Sequence, residues 1–165
     1  MGKSYYFRVA AVNQAGMSVY SNIQGPVPVL SQVVVDNMEN TGTLFKSKGI
    51  TIETGNDRSY KEILFRAKGE AGAEIIYVTP GNFAEAKIYS FEQGGGSGLE
   101  LSASTDGENF TGIVPVVESF TVGETMYDYA TPRLYSCNAA SNDVRYLKLL
   151  LVKPLRIARV ELRYH

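Results

Sequence analysis

The chain has no tryptophan, one cysteine (Cys137) and one histidine (His165, the last residue) among its 165 residues. A single cysteine excludes an intramolecular disulfide and any zinc site built on paired cysteines. A single terminal histidine leaves the body of the chain without a Ser-His-Asp triad, a Cys-His pair or a histidine-based metal site. There is no apolar run of the roughly 18 residues that a membrane-spanning helix needs, so no membrane partner is expected. No signal peptide opens the sequence; the expectation is a fragment whose targeting signal lies elsewhere. Sixteen Lys and Arg against 17 Asp and Glu give a net charge of -1, without the basic excess that nucleic-acid binding uses. What the chain does have is 44% hydrophobic residues, enough for a packed core, with 11 tyrosines and seven phenylalanines.

Helical spacing is absent, and strand signals recur along the chain. Apolar, β-branched or alternating runs occupy residues 32–38, 49–54, 73–79, 146–152 and 158–164. Leu99, Leu101 and Ala103 alternate with Glu100, Ser102 and Ser104, the period of a half-buried strand. Residues 83–91 follow the turn Pro80-Gly81-Asn82 and read as a strand despite the helix-forming Ala84-Glu85-Ala86-Lys87. Asp106-Gly107 reads as a hairpin turn with positive φ angles. Gly94-Gly95-Gly96-Ser97-Gly98 reads as a flexible loop, since no Lys-Ser/Thr or helix follows to make it a phosphate cradle. About eight short strands with regular turns argue for an all-β sandwich of jelly-roll type. Prolines at 26 and 28 mark a linker. The expected division is residues 1–25, a linker at 26–31, and a sandwich at 32–165.

Two stretches resemble known families. Tyr6-Phe7-Arg8-Val9-Ala10-Ala11-Val12-Asn13, Ala15-Gly16 and Tyr20-Ser21-Asn22 resemble the last hairpin of a fibronectin type III domain. Alone, such a hairpin is marginal in water, so it docks, pairs with another copy or stays mobile. The remainder is similar to the galactose-binding-like jelly rolls that accompany bacterial glycoside hydrolases. The carrying residues are Ser102-Ala103-Ser104-Thr105-Asp106-Gly107-Glu108-Asn109-Phe110-Thr111, then Arg145-Tyr146-Leu147-Lys148, and the closing Ile157-Ala158-Arg159-Val160-Glu161-Leu162. The resemblance implies a secreted, extracellular bacterial module that is not an enzyme, binds polysaccharide and shares its chain with a catalytic domain. It also implies a structural calcium ion, for which Glu39, Glu53, Asp57 and Glu161 are the matching oxygen donors. The alternative for these carboxylates is solvation or pairing with Arg58 and Arg159.

A sugar-binding surface needs an aromatic plate beside planar polar groups. Tyr127 and Tyr129 share one face of their segment, and Lys87, Tyr89 and Phe91 share another with Glu85. If these strands adjoin, Tyr89, Tyr127 and Tyr129 line a groove with Glu100 and Lys148 as polar neighbours; the alternative is that the tyrosines are packing residues. Residues 131–143 read as a long polar rim loop carrying Arg133 and Tyr135 as further ligand contacts. Carboxylate pairs for glycoside hydrolysis are available by composition, but none is marked by its surroundings. The leading expectation is a non-catalytic carbohydrate-binding module. The others are a ligand-free spacer or assembly module, and self-association through the N-terminal hairpin.

Overall fold

A computed structural model describes residues 4–28, 31–60, 63–120, 130–139 and 141–165. Two compact units divide between Gln32 and Val33.

The first unit is an irregular hairpin. Strand β1 (Ser4–Phe7) pairs antiparallel with β4 (Gln24–Pro28), and β2 (Val12–Asn13) pairs with β3 (Gly16–Met17) across a turn at Gln14-Ala15. Between these short ladders the N–H groups of Ser21 and Ser18 donate to the carbonyls of Val9 (2.7 Å) and Ala11 (2.9 Å), and serine hydroxyls complete the other half of each rung. The N–H of Val9 donates to Ser21 Oγ (3.0 Å) and that of Ala11 to Ser18 Oγ (2.9 Å). Residues 26–28 are therefore strand rather than linker; proline tolerates this position because a two-stranded ribbon leaves one edge of each strand without a ladder partner. Tyr6, Val9, Val12, Val19 and Ile23 are all exposed, so this unit buries little apolar surface of its own.

The second unit is all-β: a curled sheet that folds on itself into two layers. The first layer orders β10 (Thr111–Ile113), β9 (Leu99–Ser104), β13 (Tyr146–Leu151), the C-terminal half of β7 (Phe65–Val78) and the start of β6 (Lys46–Thr54). The second orders β11 (Val116–Ser119), β12 (Thr131–Asn138), β8 (Phe83–Glu92) and β14 (Leu155–Tyr164), with β5 (Gln32–Asp36) and the N-terminal half of β7 along the far edge of β14. Residues 83–91 are a strand as the turn before them implies.

Strand β7 belongs to both layers because it is broken by a wide bulge. Glu74 faces Lys48 and Gly69 faces Ile50, so residues 70–73 oppose Gly49 alone. Gly49 (φ +67°) and Gly72 (φ +86°) adopt backbone that side-chain-bearing residues avoid. At Gly69 a Cβ would lie 2.7 Å from both Ala73 Cβ and Leu151 Cδ2, so only glycine lets the layers approach there.

Alternation fills the space between the layers. Leu99, Leu101, Leu147, Leu149, Ile75 and Tyr77 point inward from the first; Ala86, Ile88, Tyr135, Ile157, Val160 and Leu162 meet them from the second. Each buried aliphatic side chain contributes about 1.5–3 kcal/mol. The Asp106-Gly107 turn is wider than a two-residue hairpin. Only Gly107 has positive φ, and Asp106 accepts the N–H groups of Glu108 and Asn109, both at 2.8 Å. The glycine-rich loop is tied down: Lys153 Nζ donates to the carbonyls of Gly95 and Gly96 and pairs with the buried Glu92 at 3.0 Å.

Candidate functional site

Because side chains alternate, every second residue of the central strands of the second layer faces away from the core. On β8 these are Glu85, Lys87, Tyr89 and Phe91. Register sets Arg163, Glu161 and Arg159 of β14 beside the first three, and Asn138, Ser136 and Leu134 of β12 on their other side. A β-bulge interrupts the β14 ladder: Ile157 pairs with Ser90 and Arg159 with Tyr89, so Ala158 and Arg159 together oppose one residue. Bulges of this kind re-aim a side chain, here setting Arg159 next to the tyrosine ring.

Loops wall this face into a groove of about 450 Å³. Tyr89, Ala158 and Arg159 line it from the strands, and Asn37, Ile63, Leu64, Phe65 and Phe120 from the surrounding segments. Tyr89 and Phe120 meet edge to face, with centroids 5.3 Å apart. Phe120 also contacts Phe91, which lies beneath Tyr60 and is buried. Tyr60 in turn lies between the guanidiniums of Arg66 and Arg156, at 4.6 and 4.7 Å from its ring centre. The groove wall thus stands on a packed aromatic stack.

Arg159 forms the polar side of the groove. Its Nη1 donates to Asn37 Oδ1 and its Nε to Glu161 Oε1, both at 2.7 Å. Farther along the same strands a small dip is lined by Val33, Glu85, Lys87, Glu161 and Arg163, where Arg163 pairs with Glu85 at 3.3 Å.

Of the residues singled out in the sequence, Tyr89 lines the groove. Tyr127 and Tyr129 lie outside the described residues. Glu100 and Lys148 sit on β9 and β13, in the first layer, and face out from the opposite side of the sandwich; they are not neighbours of Tyr89. Lys148 Nζ lies 4.6 Å from the ring centre of Phe110. Residues 131–138 are strand β12, not a rim loop, and Tyr135 is fully buried within it. The Tyr135 hydroxyl donates to Glu92 Oε1 and accepts the N–H of Gly98 at 2.8 Å, so it clamps the glycine-rich loop from inside and cannot meet a ligand. Arg133 is half-buried on the same strand, and its carbonyl faces Ser90 Oγ at 3.4 Å. No motif marks Asn37 and Phe120 as binding residues, and Arg159 shows only the outward parity of its strand. Nothing in a strand's own pattern reveals which distant segments will enclose it.

The four expected calcium donors do not converge. Glu53 pairs with Lys68 (3.2 Å) and Arg156 (3.1 Å); partial burial pushes its pKa up, but these cations prevail and hold it below the ordinary value. Asp57 accepts the N–H of Ser59 (2.8 Å), which lowers its pKa, and Glu161 is engaged by Arg159. Glu39 lines a separate polar dip with Asp36, Asn37 and Asn40. Among the described residues no group of three or more His, Cys, Asp or Glu side chains could hold a metal ion. Glu39, Glu53, Asp57 and Glu161 each engage separate surroundings in this structure.

No family model and no curated protein matches the chain. Solved structures do. CsCBM6-3 from Clostridium stercorarium, in complex with cellobiose, is 12% identical with a TM-score of 0.46, covering 77% of this chain and 90% of that one. The C-terminal CBM6 of LamC, a marine laminarinase from Zobellia galactanivorans, is 13% identical with a TM-score of 0.46, covering 79% and 98%. A likeness at this level leaves the ligand to be argued from the groove itself.

Proposed function

We propose that the chain is a non-catalytic carbohydrate-binding module that keeps a secreted polysaccharide-degrading enzyme on its substrate. The observation that carries this reading is the groove over β8 and β14, where an apolar wall of Tyr89, Phe120 and Leu64 faces the polar pair Arg159 and Asn37. Its volume falls within the roughly 300–1,000 Å³ typical of small-ligand sites. A sugar ring presents an apolar C–H face and a rim of hydroxyls, and the groove offers a surface for each. Tethering would raise the effective substrate concentration seen by the linked enzyme, with no chemistry in the module itself. The fibronectin-like hairpin and the parent catalytic domain belong to the same reading. No role is assigned to calcium.

Electrophoresis through native gels cast with soluble mannan, xylan, β-glucan or pectin tests it. Retardation by at least one polymer is expected. Passage through all of them without retardation would favour the second reading, an assembly module, which the exposed apolar side chains of the N-terminal hairpin support.

A further inference from the structure

We infer that Arg159 is the specificity-determining residue of the groove and that its pairing with Glu161 selects a neutral sugar chain with adjacent hydroxyls over a uronate-bearing one. This rests on the carbohydrate-binding reading above.

Three observations converge on Arg159. The bulge at Ala158 places it directly beside Tyr89, on the same stretch of groove as the aromatic wall. Its side chain is 41% exposed and so within reach of a ligand. Its guanidinium is nonetheless held from two elements, by Glu161 on its own strand and by Asn37 from the segment after β5. A guanidinium has five N–H donors in a planar fork. Glu161 and Asn37 engage two of them, which fixes the plane while others remain for a ligand. A preorganised fork of this kind suits two oxygens held side by side.

Charge then decides which oxygens. The cations along the groove and its extension are Lys87, Arg159 and Arg163, and the anions are Glu85 and Glu161. Both anions are engaged: Glu85 by Arg163 (3.3 Å) and Lys87 (3.9 Å), Glu161 by Arg159 (2.7 Å). A ligand carboxylate at the remaining N–H groups of Arg159 would lie beside the Glu161 carboxylate, like charge against like charge. Neighbouring hydroxyls accept from the fork while Glu161 stays in place. Glu161 thus acts against the wrong ligand as well as orienting the right residue.

Native gels with xylan, β-glucan, galactomannan and polygalacturonate, run on the whole chain and on Arg159→Lys and Glu161→Gln, test this. The wild type is expected to be retarded by a neutral polymer and not by polygalacturonate. Arg159→Lys keeps the charge, loses the fork, and is expected to weaken neutral-polymer binding about tenfold. Glu161→Gln is expected to gain polygalacturonate binding at low salt, by about tenfold, and to lose that gain at high salt. Melting curves establish that the variants fold; should Glu161→Gln fail, Asn37→Ala frees the other anchor of the fork and must also weaken neutral-polymer binding. Neutral-polymer binding unchanged in Arg159→Lys, or a wild type that prefers polygalacturonate, would overturn the inference and leave the carbohydrate-binding function standing. A wild type retarded by no polymer would overturn both.

Discussion

The outer faces of the two layers each put an aromatic ring beside a cation: Tyr89 beside Arg159 on the second, Phe110 beneath Lys148 on the first. In sequence the two look alike, each an aromatic residue with a cation in or beside alternating strands, although Phe110 itself precedes β10. The second carries the groove described above. There the segments around Asn37, residues 63–65 and Phe120 rise beside the strands, and the bulge in β14 turns Arg159 towards the ring. On the first layer Lys148 spreads over Phe110 and covers the apolar surface a sugar would need. An aromatic residue and a charge in register make a surface; walls from other parts of the chain make a site.

The contrast can be pressed in three ways, in decreasing order of effect. Leu149 is fully buried between the layers, so Leu149→Ala should cost about 2–5 kcal/mol, read as a shifted urea midpoint, and weaken both faces together. Loss of the groove alone, with the first layer intact, would mean that the layers do not share one core. Next, Tyr89→Ala should lower polysaccharide retention about tenfold with little change in melting, corresponding to about 1.4 kcal/mol. Phe110→Ala should leave retention as it was; equal losses in both variants would erase the distinction between the faces.

The smallest effect concerns the first layer's own turn. The side chain and backbone of Asn109, then Ser104 and the Glu108 N–H, bond to Asp106 and hold its carboxyl well below the usual range. A depressed carboxylate stabilises the fold above its unfolded pKa of about 3.9, and that contribution fades as pH falls towards the folded value. The wild type should therefore lose more stability than Asp106→Asn on acidification from about pH 5 to pH 2, with the groove unaffected at neutral pH. An identical acid response in the two proteins would show that the turn's carboxylate is not contributing.

Much of the fold is legible in the letters. β9 and β14 alternate cleanly, and Phe83–Glu92 overrides its helix-forming residues because the strand is flanked on both sides by partners that bury Ala86 and Ile88. β12 is hidden because Thr131, Arg133, Ser136 and Asn138 look like loop residues, while the inward Tyr135 and Cys137 are spaced too sparsely to announce a strand. The buried Cys137 thiol, pushed up to about 11 by burial, is one of those two. The N-terminal half of β7 is masked by Gly69 and Gly72, which resemble a turn and are instead a bulge. For the site, Tyr89 was readable from parity. Glu100 and Lys148 had the correct outward parity but the opposite layer, because alternation says which side of a strand a residue occupies and not which strands adjoin. Asn37 and Phe120 come from remote segments, and no local pattern marks them.

The bulge in β7 has a consequence for how the molecule comes apart. One continuous strand serves as a rung-bearing member of both layers, so neither can be peeled away without unzipping the other. Opening should be all-or-none across the sandwich, and the groove should vanish in the same step as the core instead of melting first. Assembly carries the mirror-image burden. Strand β14 at one end of the unit must find β5 at the other before the second layer is complete, and pairings that distant in sequence make for slow folding.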